Sequence, residues 1–259
     1  MPRKYYVVWN GRTPGIYTDW HSCSAQVNGF PSARFKSFQI RGEAEAAYAK
    51  GTPSKKTAAK KPRRKKRTSS AQQNSVKTYT IAEVEELSVD TKVFSDGGCE
   101  PNPGEAGSGI AVYRNNLAEE LWYGLYNPQG TNNTAELNAL HHALLVAKDE
   151  TQQGRTAAVL SDSKYSIQCV TQWATNWEKK GWTKKGGKIK NLDLIKSIYG
   201  LWMSIRNEVE VLHVNGHAGI EGNELADRMS ILAVDSQEVD LCRFRDEIDI
   251  QDILSWRTG

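Results

Sequence analysis

Lys92-Val93-Phe94-Ser95-Asp96-Gly97-Gly98 and Ala157-Ala158-Val159-Leu160-Ser161-Asp162 are two short apolar runs, each ending in a Ser-Asp pair. Runs of this length, bounded by turn formers, read as buried strands. Both deliver a carboxylate to the C-terminal end of the strand. In the first, alternation puts Asp96 on the same face as Phe94, where an unpaired charge is costly and needs a partner. Outward from this pair, Gly109 to Arg114 and Glu119 to Leu125 read as two more strands joined by the Asn115-Asn116 turn, which predicts a three-stranded antiparallel meander from Thr91 onward. The pattern then changes. A helix is predicted from about Asn133 to Lys148, then the strand Ala157 to Leu160, helices within 163–206, a strand Val209 to Val214, and a helix from about Glu221 to Ala233. Strands first, followed by alternating β and α, predict an α/β fold with a mixed sheet flanked by helices.

Two more acids occupy positions where apolar residues are expected. Glu136 lies one helical turn before Leu140, on the line of Ala143 and Ala147 that should pack on the sheet. Asp227 directly follows Leu225 and Ala226, beside their packing face. Taken singly, each of the four acids also reads as a helix or turn cap. Taken together at one sheet edge, they repel unless cations neutralise them, and hard oxygen ligands suit Mg²⁺ or Mn²⁺. Two such ions, roughly 4 Å apart, activate a water and stabilise a leaving oxygen in phosphodiester hydrolysis. The residues alone therefore point to a metal-dependent nuclease.

Composition bounds the rest. A chain of 259 residues, 39% hydrophobic and 25% charged, suffices for a core in one or two domains. It has no run of about 18 apolar residues, and Met1-Pro2-Arg3-Lys4-Tyr5 leads into no apolar stretch, so neither a transmembrane nor a secreted protein is expected. Cys23, Cys99, Cys169 and Cys242 form no CxxC pair and are expected to be reduced thiols, as in a cytosolic compartment. The net charge of +4 is unevenly spread: residues 51–75 hold nine Lys and Arg and no acid. This stretch reads as a flexible, self-repelling linker. It separates a head, residues 1–50, from a body, residues 76–233, and an acidic extension follows at 234–259, with no function attached to it. Short strands at Tyr5 to Trp9, Gly15 to Thr18 and Phe35 to Gln39, with helices starting at Asp19 or Ser22 and near Gly42, make the head a small α+β unit.

Val93-Phe94-Ser95-Asp96-Gly97-Gly98, Thr131-Asn132-Asn133-Thr134-Ala135-Glu136-Leu137, Leu160-Ser161-Asp162-Ser163 and Gly216-His217-Ala218-Gly219 through Asn223-Glu224-Leu225-Ala226-Asp227 resemble, in order, the four motifs of type 1 ribonuclease H. The resemblance spans about residues 90–233. It implies a ribonuclease H-like mixed five-stranded sheet and assigns Asp96, Glu136, Asp162 and Asp227 as ligands of two Mg²⁺ ions, with Mn²⁺ the alternative. It also makes His217 the mobile histidine that assists proton transfer or product departure, a role suited to a near-neutral imidazole. Cys99, Asn102, Asn132 and Asn133 match positions facing the RNA strand, where uncharged groups meet 2′-hydroxyls. Thr131 and Asn191 match a pocket for a DNA-strand phosphate. Trp173, Trp177 and Trp182, interleaved with Lys179, Lys180, Lys184, Lys185, Lys188 and Lys190, resemble a basic protrusion that grips the DNA strand.

The head has a resemblance of its own. Tyr5-Tyr6-Val7-Val8-Trp9-Asn10-Gly11, Gly15-Ile16-Tyr17-Thr18-Asp19-Trp20 and Phe30-Pro31-Ser32-Ala33-Arg34-Phe35-Lys36-Ser37-Phe38 resemble the hybrid-binding domain that precedes some ribonucleases H. The resemblance assigns Trp20 and Phe35 to DNA-strand sugars and Lys36 to a DNA phosphate. Ser37 stands where the family often has a second Lys. The implied protein is an endoribonuclease that cuts the RNA strand of RNA–DNA hybrids, leaving 3′-hydroxyl and 5′-phosphate ends, with R-loop and RNA-primer removal as its duties. A DNA-directed nuclease of the same fold and a non-catalytic hybrid-binding protein are the alternatives. No membrane and no obligate protein partner is implied, and a monomer is expected. A bacterial cytoplasm is the expected location, or a nucleus if the source is eukaryotic, since Lys61 to Arg67 also reads as a nuclear signal.

Overall fold

The structure, a computed structural model, describes residues 4–28, 30–31, 33–51 and 76–259. Apart from Gly51, the linker predicted over 51–75 lies outside the described residues. The chain divides into two units, residues 1–71 and 72–259.

In the first unit, β1 (Tyr5–Asn10) is the centre of an antiparallel sheet ordered β2-β1-β3, with β2 at Gly15–Tyr17 and β3 at Arg34–Phe38. Between them α1 (Trp20–Val27) is started by Asp19, whose carboxylate accepts the Ser22 N–H at 2.7 Å. Cys23 and Val27 of this helix pack on Val8. The unit closes with α2 (Arg41–Ala49), tied to the sheet by the Trp9 indole N–H on the Ala47 carbonyl at 3.1 Å.

The second unit opens with β4 (Thr78–Tyr79) and α3 (Ile81–Glu85), the latter started by a reciprocal Thr80–Glu83 capping box. The meander follows as β5 (Thr91–Cys99), β6 (Gly104–Arg114) and β7 (Leu117–Gly130). Asn115 and Asn116, at φ +50° and +63°, make the tight turn between β6 and β7. Next come α4 (Asn132–Gln152), β8 (Ala157–Ser161), α5 (Lys164–Gln168), a π-helical turn at Cys169–Trp173, α6 (Ala174–Glu178), α7 (Leu192–Ile205), β9 (Val209–Val214) and α8 (Glu221–Ser236). The extension adds β10 (Cys242–Arg243) and α9 (Ile250–Leu254).

Among the described residues the sheet is ordered β10-β7-β6-β5-β8-β9-β4. The pairs β5–β8, β8–β9 and β9–β4 are parallel and the rest antiparallel. Its middle five strands are the expected sheet. The two-residue edge strands come from segments whose pairing no periodicity announces. Alternation sorts the interior into two layers: Val93, Ile110, Val112 and Val159 pack with α4 and α7 residues on one face, and Phe94, Ala111, Leu160 and Leu212 pack with α8 residues on the other. The acidic extension belongs to the second layer. Ile253 is buried there, and the Phe244 and Trp256 rings meet edge-on at 6.1 Å. Among the described residues, no helix is long and apolar enough to cross a membrane.

Two glycines bring the helices into backbone contact with the strands. A Cβ on Gly97 would lie 2.3 Å from the Glu136 nitrogen of α4, and one on Gly109 would lie 2.1 Å from the Ala226 carbonyl of α8. Only a residue without a side chain fits at either point. Gly97→Ala is accordingly expected to destabilise the fold by about 3 kcal/mol through overpacking. In urea unfolding this appears as a lower midpoint with an unchanged slope.

Candidate active site

Asp96, Glu136, Asp162, His217 and Asp227 line one open cleft of about 570 Å³, together with Cys99, Asn132 and residues 257–259. Each arrives by a different route. Asp96 continues β5 beyond its pairing with β8, and Asp162 is the first residue after β8, so the parallel pair Ser95–Ser161 leads both to the same edge. Glu136 sits near the start of α4, whose N-cap Thr131 accepts the Thr134 N–H at 3.2 Å. Asp227 comes from α8 on the other face and is buried. His217, at φ +49°, is exposed on the loop between β9 and α8.

Each carboxylate has a local anchor. The Gly97 N–H donates to Asp96 Oδ1 at 2.7 Å. Glu136 accepts from Asn132 Nδ2 at 2.8 Å on Oε1 and from the Ser163 hydroxyl on Oε2. Asn223 Nδ2 reaches Asp162 Oδ2 at 3.4 Å. Asp227 is paired with its neighbour Arg228 and accepts the Gly259 N–H on both oxygens, at 3.2 and 3.3 Å. Ser163, Arg228, Gly259 and Glu224 escaped the sequence reading. Ser163 was legible as an N-cap, and Glu224 precedes Asp227 by a helical turn. One ligand atom each of His217, Glu224 and Asp227 lie within 4.8 Å of one another.

The expected substrate contacts fall into smaller groups. Asn102 Oδ1 accepts the Asn132 N–H at 3.3 Å, and the Cys99 thiol points at the Gly130 carbonyl at 3.7 Å, so these three stand together at the mouth of the cleft. Asn133 is exposed beside them. Thr131 and Asn191 are bridged by Thr134, whose hydroxyl lies 2.7 Å from that of Thr131 and donates to Asn191 Oδ1 at 3.4 Å. Trp173, Trp177 and Trp182 each pack partly against the core, with Trp173 and Trp177 ring centroids 5.9 Å apart. The lysines around Trp182 are exposed. In the first unit Trp20 and Phe35 are 48% and 44% exposed with their rings 5.7 Å apart, Tyr6 stands 5.5 Å from Trp20, and Lys36 is exposed on the same strand as Phe35.

The electrostatics of the cleft are those of crowded acids. Burial first, then the charges of Asp162 and Asp227, hold Asp96 well above the ordinary carboxylate range against the pull of the Gly97 N–H. Burial pushes Glu136 up to about 7, with the Ser163 hydroxyl opposing and Asp162 adding. Asp162 is raised by burial and by Asp227, while Asn223 and His217 act the other way. Anionic oxygen donors that raise one another's pKa at a solvent-open edge fit hard divalent cations, which remove the repulsion.

Acids at two adjacent strand ends and on helices of both faces of a mixed sheet make a carboxylate-rich cleft at one sheet edge. The RNase H family profile matches residues 88–235, and the profile for the ribonuclease H1 N-terminal domain matches residues 4–48. The chain belongs to the ribonuclease H family and is a hydrolase of that family. Ribonuclease H1 of Mus musculus is 29% identical over 255 residues, covering 87% of each chain. Ribonuclease H of Methylorubrum extorquens is 36% identical over 142 residues, which span 55% of this chain and 59% of that protein. In fold, the chain is similar to LC9-RNase H1, a type 1 RNase H, with a TM-score of 0.51 at 22% identity over 64% of this chain and 81% of that one.

A raised carboxylate pKa favours the protonated folded state, so its contribution is complete below the ordinary value near 4.5 and is lost as pH rises through about 7. The cation-free protein should therefore weaken over that window. Glu136→Gln, which keeps an acceptor for Asn132, is expected to raise the melting temperature by about 5 °C at pH 7.5 in EDTA, and the gain should vanish toward pH 4.5. Thermal melts of both proteins across that range measure it.

Proposed function

We propose that the second unit cleaves the RNA strand of RNA–DNA hybrids endonucleolytically, leaving 3′-hydroxyl and 5′-phosphate ends, with two Mg²⁺ ions as cofactors and Mn²⁺ as the alternative. The observation that carries this reading is the convergence of Asp96, Glu136, Asp162 and Asp227 on one cleft, where burial and mutual charge hold three of them above their usual range. These four would hold the cations, which when bound supply an activated water and a counter-charge for the leaving oxygen. The chain's own residues do the rest. Asn132 and Ser163 orient the Glu136 carboxylate. His217, exposed at the rim of the same cleft, would exchange protons with the scissile phosphodiester or its product.

Recognition divides between the two units. At the mouth of the cleft, Cys99, Asn102 and Asn132 offer uncharged groups that suit 2′-hydroxyls, and Thr131, Thr134 and Asn191 suit a phosphate on the other strand. The exposed Trp20–Phe35 pair with Lys36 suits sugar and phosphate contacts in the first unit. A weak binder tethered to the catalytic unit raises local substrate concentration and leaves the chemistry untouched. Removal of R-loops and RNA primers follows from this substrate.

The test is cleavage of end-labelled RNA–DNA, RNA–RNA and DNA–DNA duplexes with Mg²⁺. Only the RNA of the hybrid should be cut. Asp96→Asn should lower the rate by about a thousandfold or more, as expected for loss of a charge that neutralises catalytic cations. His217→Ala should lower turnover with the substrate KM kept, and Trp20→Ala with Phe35→Ala should raise KM with kcat kept. Undiminished cleavage by Asp96→Asn would move the chemistry elsewhere, and cleavage of DNA–DNA would replace the proposed substrate.

A further inference from the structure

His213 is a buried histidine, 2% exposed, and both of its ring nitrogens are engaged. It lies on β9, paired with Ser161 of β8 on one side and with Thr78 of β4 on the other. Its Nε2 is 3.1 Å from the main-chain carbonyl oxygen of Asp162, and its Nδ1 is 2.8 Å from the Thr78 hydroxyl. A carbonyl only accepts, so Nε2 carries the ring proton and donates it. In a neutral imidazole that donates from Nε2, Nδ1 is the acceptor, and the Thr78 hydroxyl 2.8 Å away is the donor that completes it. Thr78 can do this because residues paired in register on parallel strands project to the same face.

We propose that Thr78 and His213 form a positioning relay that sets the direction of the Asp162 carboxylate. The β8 ladder ends at Ser161. Beyond it, the Asp162 carbonyl is held by the Lys164 N–H at 3.1 Å and by the His213 ring. These two bonds fix the peptide that follows Asp162 and with it the Cα–Cβ direction, while Asn223 Nδ2 reaches the carboxylate at the long distance of 3.4 Å. Hydrogen bonds outside a ligand set orient the ligands and tune cation affinity, and their loss typically costs 10–100-fold in binding. The relay begins outside the span that the RNase H profile matches, residues 88–235, and outside the N-terminal match, residues 4–48. Residues just ahead of the catalytic core thus shape the active site through strand pairing, although they contribute no side chain to the cleft.

The proposal rests on the reading of Asp162 as a cation ligand, and the two are tested apart in the 259-residue chain. Mg²⁺ binding is measured by calorimetry without substrate, beside kcat and KM on the hybrid, for Asp162→Asn, Thr78→Val, Thr78→Ser and His213→Gln. Thr78→Val keeps shape and removes the donor, freeing the ring to take the tautomer that turns a bare nitrogen toward the carbonyl. It is expected to weaken Mg²⁺ binding about tenfold and to lower kcat with KM unchanged. Thr78→Ser restores both, and His213→Gln, which retains an amide donor, falls between. Histidine ¹⁵N spectra should show Nε2 protonated and Nδ1 bare in the parent, with the pattern changed in Thr78→Val. If Asp162→Asn binds Mg²⁺ as the parent does, the functional reading fails. If Asp162→Asn abolishes binding while Thr78→Val and His213→Gln match the parent in Mg²⁺ affinity and kcat, or if the parent carries its proton on Nδ1, the relay is overturned.

Discussion

Backbone contact between helices and sheet is the constraint on which the site depends. Gly97 admits α4 to one face of β5, and Gly109 admits α8 to the other face of β6. Without these approaches, carboxylates from opposite faces of a sheet would stand apart by the width of a side-chain layer. With them, Glu136 and Asp227 reach the edge where β5 and β8 release Asp96 and Asp162. Apolar burial on both faces supplies the free energy that holds acids together against their repulsion. The destabilised groups at the cleft are the counterpart of the well-packed layers beneath it.

The same economy of contact governs the polar groups around the acids. Ser163 caps α5 and also donates to Glu136, so a helix start doubles as a support for the site. Asn132 joins Asn102 to Glu136, linking the loop after β5 to the first turn of α4. Arg228 pairs with Asp227 and reaches the Leu254 carbonyl at 3.4 Å, which ties α8 to the end of α9. The extension after α8 is therefore part of the wall around Asp227. Its acidic composition conceals the buried Ile253 and the Phe244–Trp256 contact that anchor it.

Much of this was legible in the chain. The strand Val209–Val214 was predicted with its observed bounds, and the helix expected from about Glu221 to Ala233 is α8, which runs on to Ser236. The β6–β7 turn was announced by Asn115-Asn116, since asparagine tolerates the positive φ that a tight hairpin requires. Strands β5 and β6 run beyond their predicted ends, through Gly97, Gly98, Ala106 and Gly107, because glycine-rich sequence hides a strand that sheet pairing creates. The edge strands β4 and β10 were silent for a similar reason: two residues carry no period, and only a waiting sheet edge makes them strands.

By itself the sequence determined the order of the central strands and helices, the four acids, and the basic stretch that sets the head apart from the body. These are local properties, set by side-chain type and spacing along the chain. Tertiary structure alone decided which polar groups serve the acids: Ser163 against Glu136, Arg228 and Gly259 against Asp227, and Thr78 through His213 against Asp162. Several of these partners are separated by tens of residues, and their meeting depends on strand register and helix approach. A hydrogen bond is made or lost over less than an ångström, a scale that packing in three dimensions sets and residue spacing does not.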